Sequence, residues 1–206
     1  MKNAKFTMIL FCTCLTFITY NIVFAGMKLR VKATKLNDKG IKATVEKFDF
    51  YDKKYNEGGN YPNDFHDKGN GTVTDKASGL MWVQNGSEKA MSWSNAKKYL
   101  KNLNKSKYSG YKGWRFPTVE ELYSILEPNP NGGIHINELF GTTVVHCWSI
   151  DTSEMLNRWG FTRSRKVTLD FKTGTAADAY TGDKFAGATA KNYYSYVKAV
   201  RSIKKQ

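Results

Sequence analysis

Cysteine is nearly absent from this chain. There are three in 206 residues, Cys12, Cys14 and Cys147. The first two fall in an apolar N-terminal run. Once that run is removed, Cys147 stands alone, no internal disulfide is possible, and the core must carry stability unaided. Histidine is as scarce, with only His66, His135 and His146. None has helical i, i+4 ligand spacing, which argues against a histidine-rich metal centre. Acids are also short, 18 against 32 Lys and Arg, for a net charge of +14. No internal repeat, collagen-like Gly-x-y run or heptad pattern occurs, so solenoids, triple helices and coiled coils are excluded.

The one long hydrophobic run lies at the N-terminus. Lys2 and Lys5 precede residues 6–24, which are uncharged and mostly apolar, and Val23-Phe24-Ala25 offers small residues at −3 and −1. This pattern predicts a secretory signal cleaved after Ala25. The competing reading, an uncleaved anchor, lacks a use for the small-residue site. The expected division is a signal at 1–25, an N-terminal segment at 26–64 and a main domain at 65–206. Membrane contact is expected only during export, with a secreted, periplasmic or cell-surface destination. Loss of Lys2 and Lys5 leaves 14 − 2 = +12. A basic exported protein meets anionic surfaces such as sulfated polysaccharide, phosphate-bearing polymers and extracellular DNA.

Residues 27–50 alternate apolar and basic at Met27-Lys28-Leu29-Arg30-Val31-Lys32. With Asn37-Asp38-Lys39-Gly40 as a turn, they predict a β-hairpin. Residues 51–64 read as a loop or linker. Asn70-Gly71 predicts a second hairpin, because both positions tolerate positive φ. Leu80-Met81-Trp82-Val83 is a short buried strand. A helix N-capped by Ser92 carries Trp93, Ala96, Leu100 and Leu103 on one stripe and Lys97, Lys98 and Lys101 elsewhere. A second opens with Thr118 and Glu121 as a capping box and ends at Pro128 and Pro130. Short strands follow at 145–150, 158–162 and 166–171, then a small-residue loop at 174–189 and a last strand at 194–203. Strands, two helices and strands again make an α+β domain.

The segments Gly71-Thr72-Val73-Thr74-Asp75, Ser78-Gly79-Leu80-Met81-Trp82, Ser92-Trp93-Ser94-Asn95-Ala96, Gly113-Trp114-Arg115-Phe116-Pro117-Thr118-Val119-Glu120-Glu121-Leu122, Trp148-Ser149 and Val200-Arg201 occur in that order. Their succession over residues 65–203 resembles the family of the C-terminal domain of the Legionella collagen-like adhesin (Lcl). The resemblance implies a C-type-lectin-like fold and an exported or surface-attached binding domain. The collagen-like stalk of that adhesin has no counterpart in this chain. From the residues themselves, Arg115 reads as a hydrogen-bonding hub ahead of a capped helix, bracketed by Gly113 and Pro117. Trp82, Trp93, Trp114 and Trp148 read as core.

Catalytic sets are wanting. His146 and Cys147 are adjacent in a strand, so their side chains point to opposite faces and do not form a thiol–imidazole pair. No nucleophile–base–orienter set is visible, and no enzyme activity or cofactor is expected. Asp67, Asn70 and Asp75 surround a glycine turn, and Glu127-Pro128-Asn129 copies a lectin calcium tripeptide. Both read better as turn chemistry and chance. The best binding candidate is the basic stretch 158–166, where Arg158, Arg163, Arg165 and Lys166 interleave with Trp159 and Phe161. It suits sulfate or phosphate groups with sugar stacking. Its competitor is an edge strand whose charges block aggregation. The expectation is a non-catalytic, adhesin-like module for anionic polysaccharide or cell-surface glycan. The alternative is an envelope or fimbrial assembly subunit whose residues 27–60 pair with an envelope protein partner. An enzyme of unknown type is a minor third reading. No specific nucleic-acid motif is present.

Overall fold

The structure is a computed structural model that describes residues 28–156, 161–179 and 194–203. The expected signal peptide, Arg158, Trp159 and most of the expected 174–189 loop lie outside the described residues.

The N-terminal segment is helical, not a β-hairpin. Helix α1 spans Asp38–Phe48, and the Asn37 side chain caps it by accepting from the Gly40 N–H at 2.9 Å. The residues read as a turn are thus a helix start. Ile41, Val45 and Phe48 recur at spacings of four and three, which puts them on one helical stripe. Val45 and Phe48 are buried, and Asp49 ends the helix in the left-handed region at φ 53°. The following residues are irregular but closely packed. Phe50, Tyr51 and Tyr61 are buried in the same hydrophobic cluster as Val73, Trp82 and Leu122. Side chains on both sides of residue 64 therefore share one core, although Val31 is exposed.

Two antiparallel sheets follow. The first holds β1 (Phe65–Asp67), β2 (Thr72–Asp75), β3 (Leu80–Val83) and β7 (Val200–Ser202), in the order β1-β2-β3-β7. The Asn70-Gly71 hairpin joins β1 to β2, with Asp67 opposite Val73. Gly71 has φ 81°, and a Cβ there would lie 2.6 Å from the Tyr108 hydroxyl. Both facts demand glycine.

The second sheet holds β4 (His146–Leu156), β5 (Thr162–Asp170) and β6 (Thr175–Ala179), with β5 in the middle. The two strands expected at 158–162 and 166–171 are thus largely one, and β6 takes up the start of the expected loop. Both faces of this sheet are covered. Cys147, Val167 and Leu169 join the first core cluster, and Trp148 joins a second with Met81, Ala96, Leu100, Trp114 and Phe116. Helix α2 (Trp93–Ser106) lays Ala96, Leu100 and Leu103 into that second cluster, and Ser92 caps it. Helix α3 (Val119–Tyr123) is a single buried turn with the predicted capping box between Thr118 and Glu121.

The last segment ties the sheets together. Tyr196 bridges Cys147 of the second sheet, and Val200 pairs with Trp82 of the first. The strand expected over 194–203 is regular only at Val200–Ser202, because the chain changes sheets between these contacts.

Candidate anion-binding surface and the polar hub beneath it

The Trp114-Arg115-Phe116-Pro117-Thr118 stretch works by holding the α3 end in place. Arg115 binds Glu121 through both guanidinium nitrogens, at 2.7 and 2.6 Å. Glu121 is fully buried, and its Oε2 also accepts from the Thr118 N–H at 2.9 Å. A planar guanidinium suits this fork, and a lysine would not reproduce it. Arg115 also exchanges backbone bonds with Val200, at 2.9 and 3.1 Å. Pro117 is buried, and its carbonyl accepts from Ile150 at 2.8 Å.

A second pair lies alongside. Asp151 is buried where the β4–β5 register shifts between Trp148 and Thr152. It accepts from both Arg30 guanidinium nitrogens at 2.7 and 2.9 Å, from Thr34 N–H at 2.8 Å and from Val119 N–H at 2.7 Å. Arg30 N–H in turn donates to Glu120 at 2.6 Å. This partner had no local signal in the sequence, since Arg30 and Asp151 are 121 residues apart.

Of the four cations proposed from the sequence, the described residues include the side chains of Arg165 and Lys166 alone. Arg158 lies outside the described residues. Arg163 stands opposite Met155 and Arg165 opposite Ser153, and only the backbone of Arg163 is described. Arg165 is half-buried on the strand face that carries Val167 and Leu169. Lys166 takes the other face. Its ammonium donates to the Ile150 carbonyl at 2.7 Å and sits 4.5 Å from the Trp93 ring centre. The strand is central rather than an edge, which argues against the aggregation-blocking alternative.

Trp93 is not simply core either. It is partly exposed, stacks on Phe116 at 4.2 Å and meets Trp148 edge-on at 5.5 Å. Trp82, Trp114 and Trp148 are buried. Trp93 thus forms a supported aromatic platform beneath Lys166. Burial lowers the Lys166 pKa, Asp151 opposes this, and the Lys97 charge lowers it further. The ammonium groups of α2 and β5 therefore feel each other beside Trp93.

Helix α2 carries Lys97, Lys98, Lys101 and Lys105 and no acidic residue. All four are exposed. Lys101 is a three- or four-residue neighbour of each of the other three, an arrangement that disfavours the helix. Among the described residues none of the four has an ion-pair partner, whereas Lys35, Lys42 and Lys54 pair with Glu154, Glu46 and Asp38. Other exposed lysines, among them Lys32, Lys39, Lys53 and Lys68, also lack an ion-pair partner among the described residues, but α2 gathers four of them on one helix with no acid between. Lys107 and Lys112 are exposed beyond its C-terminal end, where Arg201 covers the Tyr111 ring at 4.8 Å.

His146 and Cys147 do point apart. His146 is exposed near Asp170, while Cys147 is buried. The Cys147 sulfur accepts from the Lys198 N–H at 3.3 Å, and burial pushes its pKa up to about 12, against smaller opposing effects of Lys198. Among the described residues no group of three or more His, Cys, Asp or Glu side chains is placed to hold a metal ion. Nor, among them, is any helix long and apolar enough to cross a membrane.

No curated protein and no solved structure matches this chain. Its residues 71–201 do match the Lcl C-terminal domain, from the turn glycine of the first hairpin to the arginine of β7. That span is more than half of the chain and contains the caps of α2 and α3 and the Arg115–Glu121 hub; the protein belongs to the Lcl C-terminal domain family.

Proposed function

We propose that this chain is an exported, adhesin-like surface module on a C-type-lectin-like scaffold, and that it binds anionic glycans without catalysing a reaction. The observation that carries this reading is the unpaired lysine row of α2, continued by Lys166 over the Trp93 platform. Four like charges on one short helix weaken it. A polyanion laid along the row relieves the repulsion and gains ionic contacts. Family membership supports a surface role, and the apolar N-terminal run with its small-residue site after two lysines supports export.

The test is retention of the purified protein, residues 26–206, on immobilised heparin and on a neutral polysaccharide across a salt series, with and without chelator. Heparin-selective retention that salt abolishes and chelator leaves intact is expected. Changing Lys97, Lys98 and Lys101 together to Gln should weaken it and flatten its salt dependence. Unchanged retention by that variant sinks the assignment to α2. Chelator-sensitive retention on the neutral polymer sinks the ionic reading.

A further inference from the structure

The loop between β3 and α2 is built more firmly than a connection requires. Ser87 N–H donates to Val197 O at 2.8 Å, and Val197 N–H donates to the Ser87 hydroxyl at 3.0 Å. That hydroxyl donates to Lys89 O at 3.0 Å. Met91 and Ser195 exchange backbone bonds of 2.9 and 3.1 Å, and the Trp148 indole donates to Met91 O at 2.9 Å. Gly86 has φ 71°, and a Cβ there would lie 2.9 Å from both Val144 and the Val197 carbonyl. The loop is therefore pinned against the final segment of the chain, with no slack for a side chain at Gly86.

This loop forms one wall of a cleft of about 560 Å³, and Tyr99 and Tyr108 also line it. Both rings are oriented through their hydroxyls. Tyr99 donates to Gly86 O and Tyr108 to Gly71 O, each at 3.4 Å. Tyr108 also meets Trp114 edge-on at 6.1 Å. Val83 and Met91 add apolar surface, and Asn85 an amide. Glu88 and Lys89 are exposed and contribute one charge of each sign. At about 100° per residue, Tyr99 lies about 160° around the helix from Lys97. Asn95, Asn102 and Ser106 share its flank, so this side of α2 is uncharged. Burial, with Tyr108 and Glu88 nearby, raises the Tyr99 pKa to about 12, so the hydroxyl stays neutral.

We infer that this cleft is a second binding site, separate from the lysine row, for an uncharged pyranose bearing an apolar substituent such as an N-acetyl group. Its volume falls in the range of small-ligand sites, about 300–1,000 Å³. Two tyrosine rings match the C–H face of a sugar, and their hydroxyls add polar contacts at the edges. The charges of its lining cancel, which disfavours an ionic ligand. Fixed walls reduce the ordering cost of binding. The inference rests on different residues from the proposed anion surface.

The test is saturation-transfer NMR of the protein, residues 26–206, with N,N′-diacetylchitobiose in about 0.5 M salt, where ionic contacts are strongly screened. Transfer to the acetyl methyl groups is expected, with a dissociation constant on the order of 1 mM. Asn85→Trp, which places an indole at the cleft from an exposed position, should reduce affinity more than tenfold. Tyr99→Ala should do the same, provided its melting curve shows a folded protein. Absence of transfer to the wild type, or undiminished transfer to Asn85→Trp, overturns the inference. Heparin retention at low salt, run in parallel, distinguishes the two sites. Retention without disaccharide transfer leaves the lysine row standing and removes the cleft, and the reverse removes only the lysine row.

Discussion

Lys198 is fully buried, an unusual place for an amine. Its ammonium nitrogen donates to the Gln84 carbonyl at 2.9 Å and lies 4.7 Å from the Phe140 ring centre. One carbonyl and one ring replace a full hydration shell, so burial lowers its pKa from 10.5 to about 7, against a small upward effect of Cys147. Between those two values the unfolded chain holds a proton that the folded chain does not. Stability therefore rises with pH across that window and is flat below it on this account. The rise from pH 7 to pH 9 amounts to about 2 kcal/mol. That is about 4–8 °C in melting temperature for a domain of this size. Lys198→Met keeps the volume and removes the titrating group, and Gln84 O still accepts from Gly141 N–H. The variant should be more stable than the wild type at pH 7, and its stability should not climb toward pH 9. Urea unfolding at pH 7, 8 and 9 on both proteins measures this directly. Equal pH slopes in the two would refute the buried neutral amine.

Cys147 acts in the opposite sense. Its folded-state pKa is raised to about 12, so stability falls as pH climbs above about 9, and Cys147→Ala should remove part of that fall in an alkaline unfolding series. Lys101→Glu turns three repulsive helix neighbours into attractive ones. It should stabilise the protein by about 1 kcal/mol at low salt while weakening heparin retention, and an unchanged melting temperature would show that the α2 charges do not interact. Arg30→Met leaves the Asp151 carboxylate buried with only backbone donors. It should cost about 2–4 kcal/mol, and a melting temperature within a degree of wild type would contradict the role of this ion pair. Gly71→Ala combines a left-handed backbone with a close approach to Tyr108. It should cost about 1–2 kcal/mol and disturb the tyrosine cleft, as read by tyrosine chemical shifts and a melting curve.

What could be read in the residues was local. Ser92, Thr118 and Glu121 announced two helix starts because a cap and its partner lie within three positions. Asn70-Gly71 announced a hairpin because glycine takes the positive φ a tight reversal needs, although the loop is longer than two residues and Gly69, not Asn70, shares that conformation with Gly71. Asn37 was equally local, yet Asn37-Asp38-Lys39-Gly40 suits a turn or a cap. Only the burial of Val45 and Phe48 against the common core chose the helix. The basic stretch looked like one site because its cations are neighbours in sequence. Strand alternation put Arg165 and Lys166 on opposite faces, and packing against both faces of the sheet leaves each half-buried.

The sequence by itself determined the α+β class, the caps, the aromatic core and the excess of positive charge, since these follow from composition and from contacts a few residues long. Tertiary structure alone decided that Arg30 meets Asp151, that Lys166 comes beside Trp93 and Lys97, and that Lys198 is sealed where the final segment crosses between the sheets. Each depends on elements distant in the chain packing together, and a charge acquires its energy from the surroundings that packing creates.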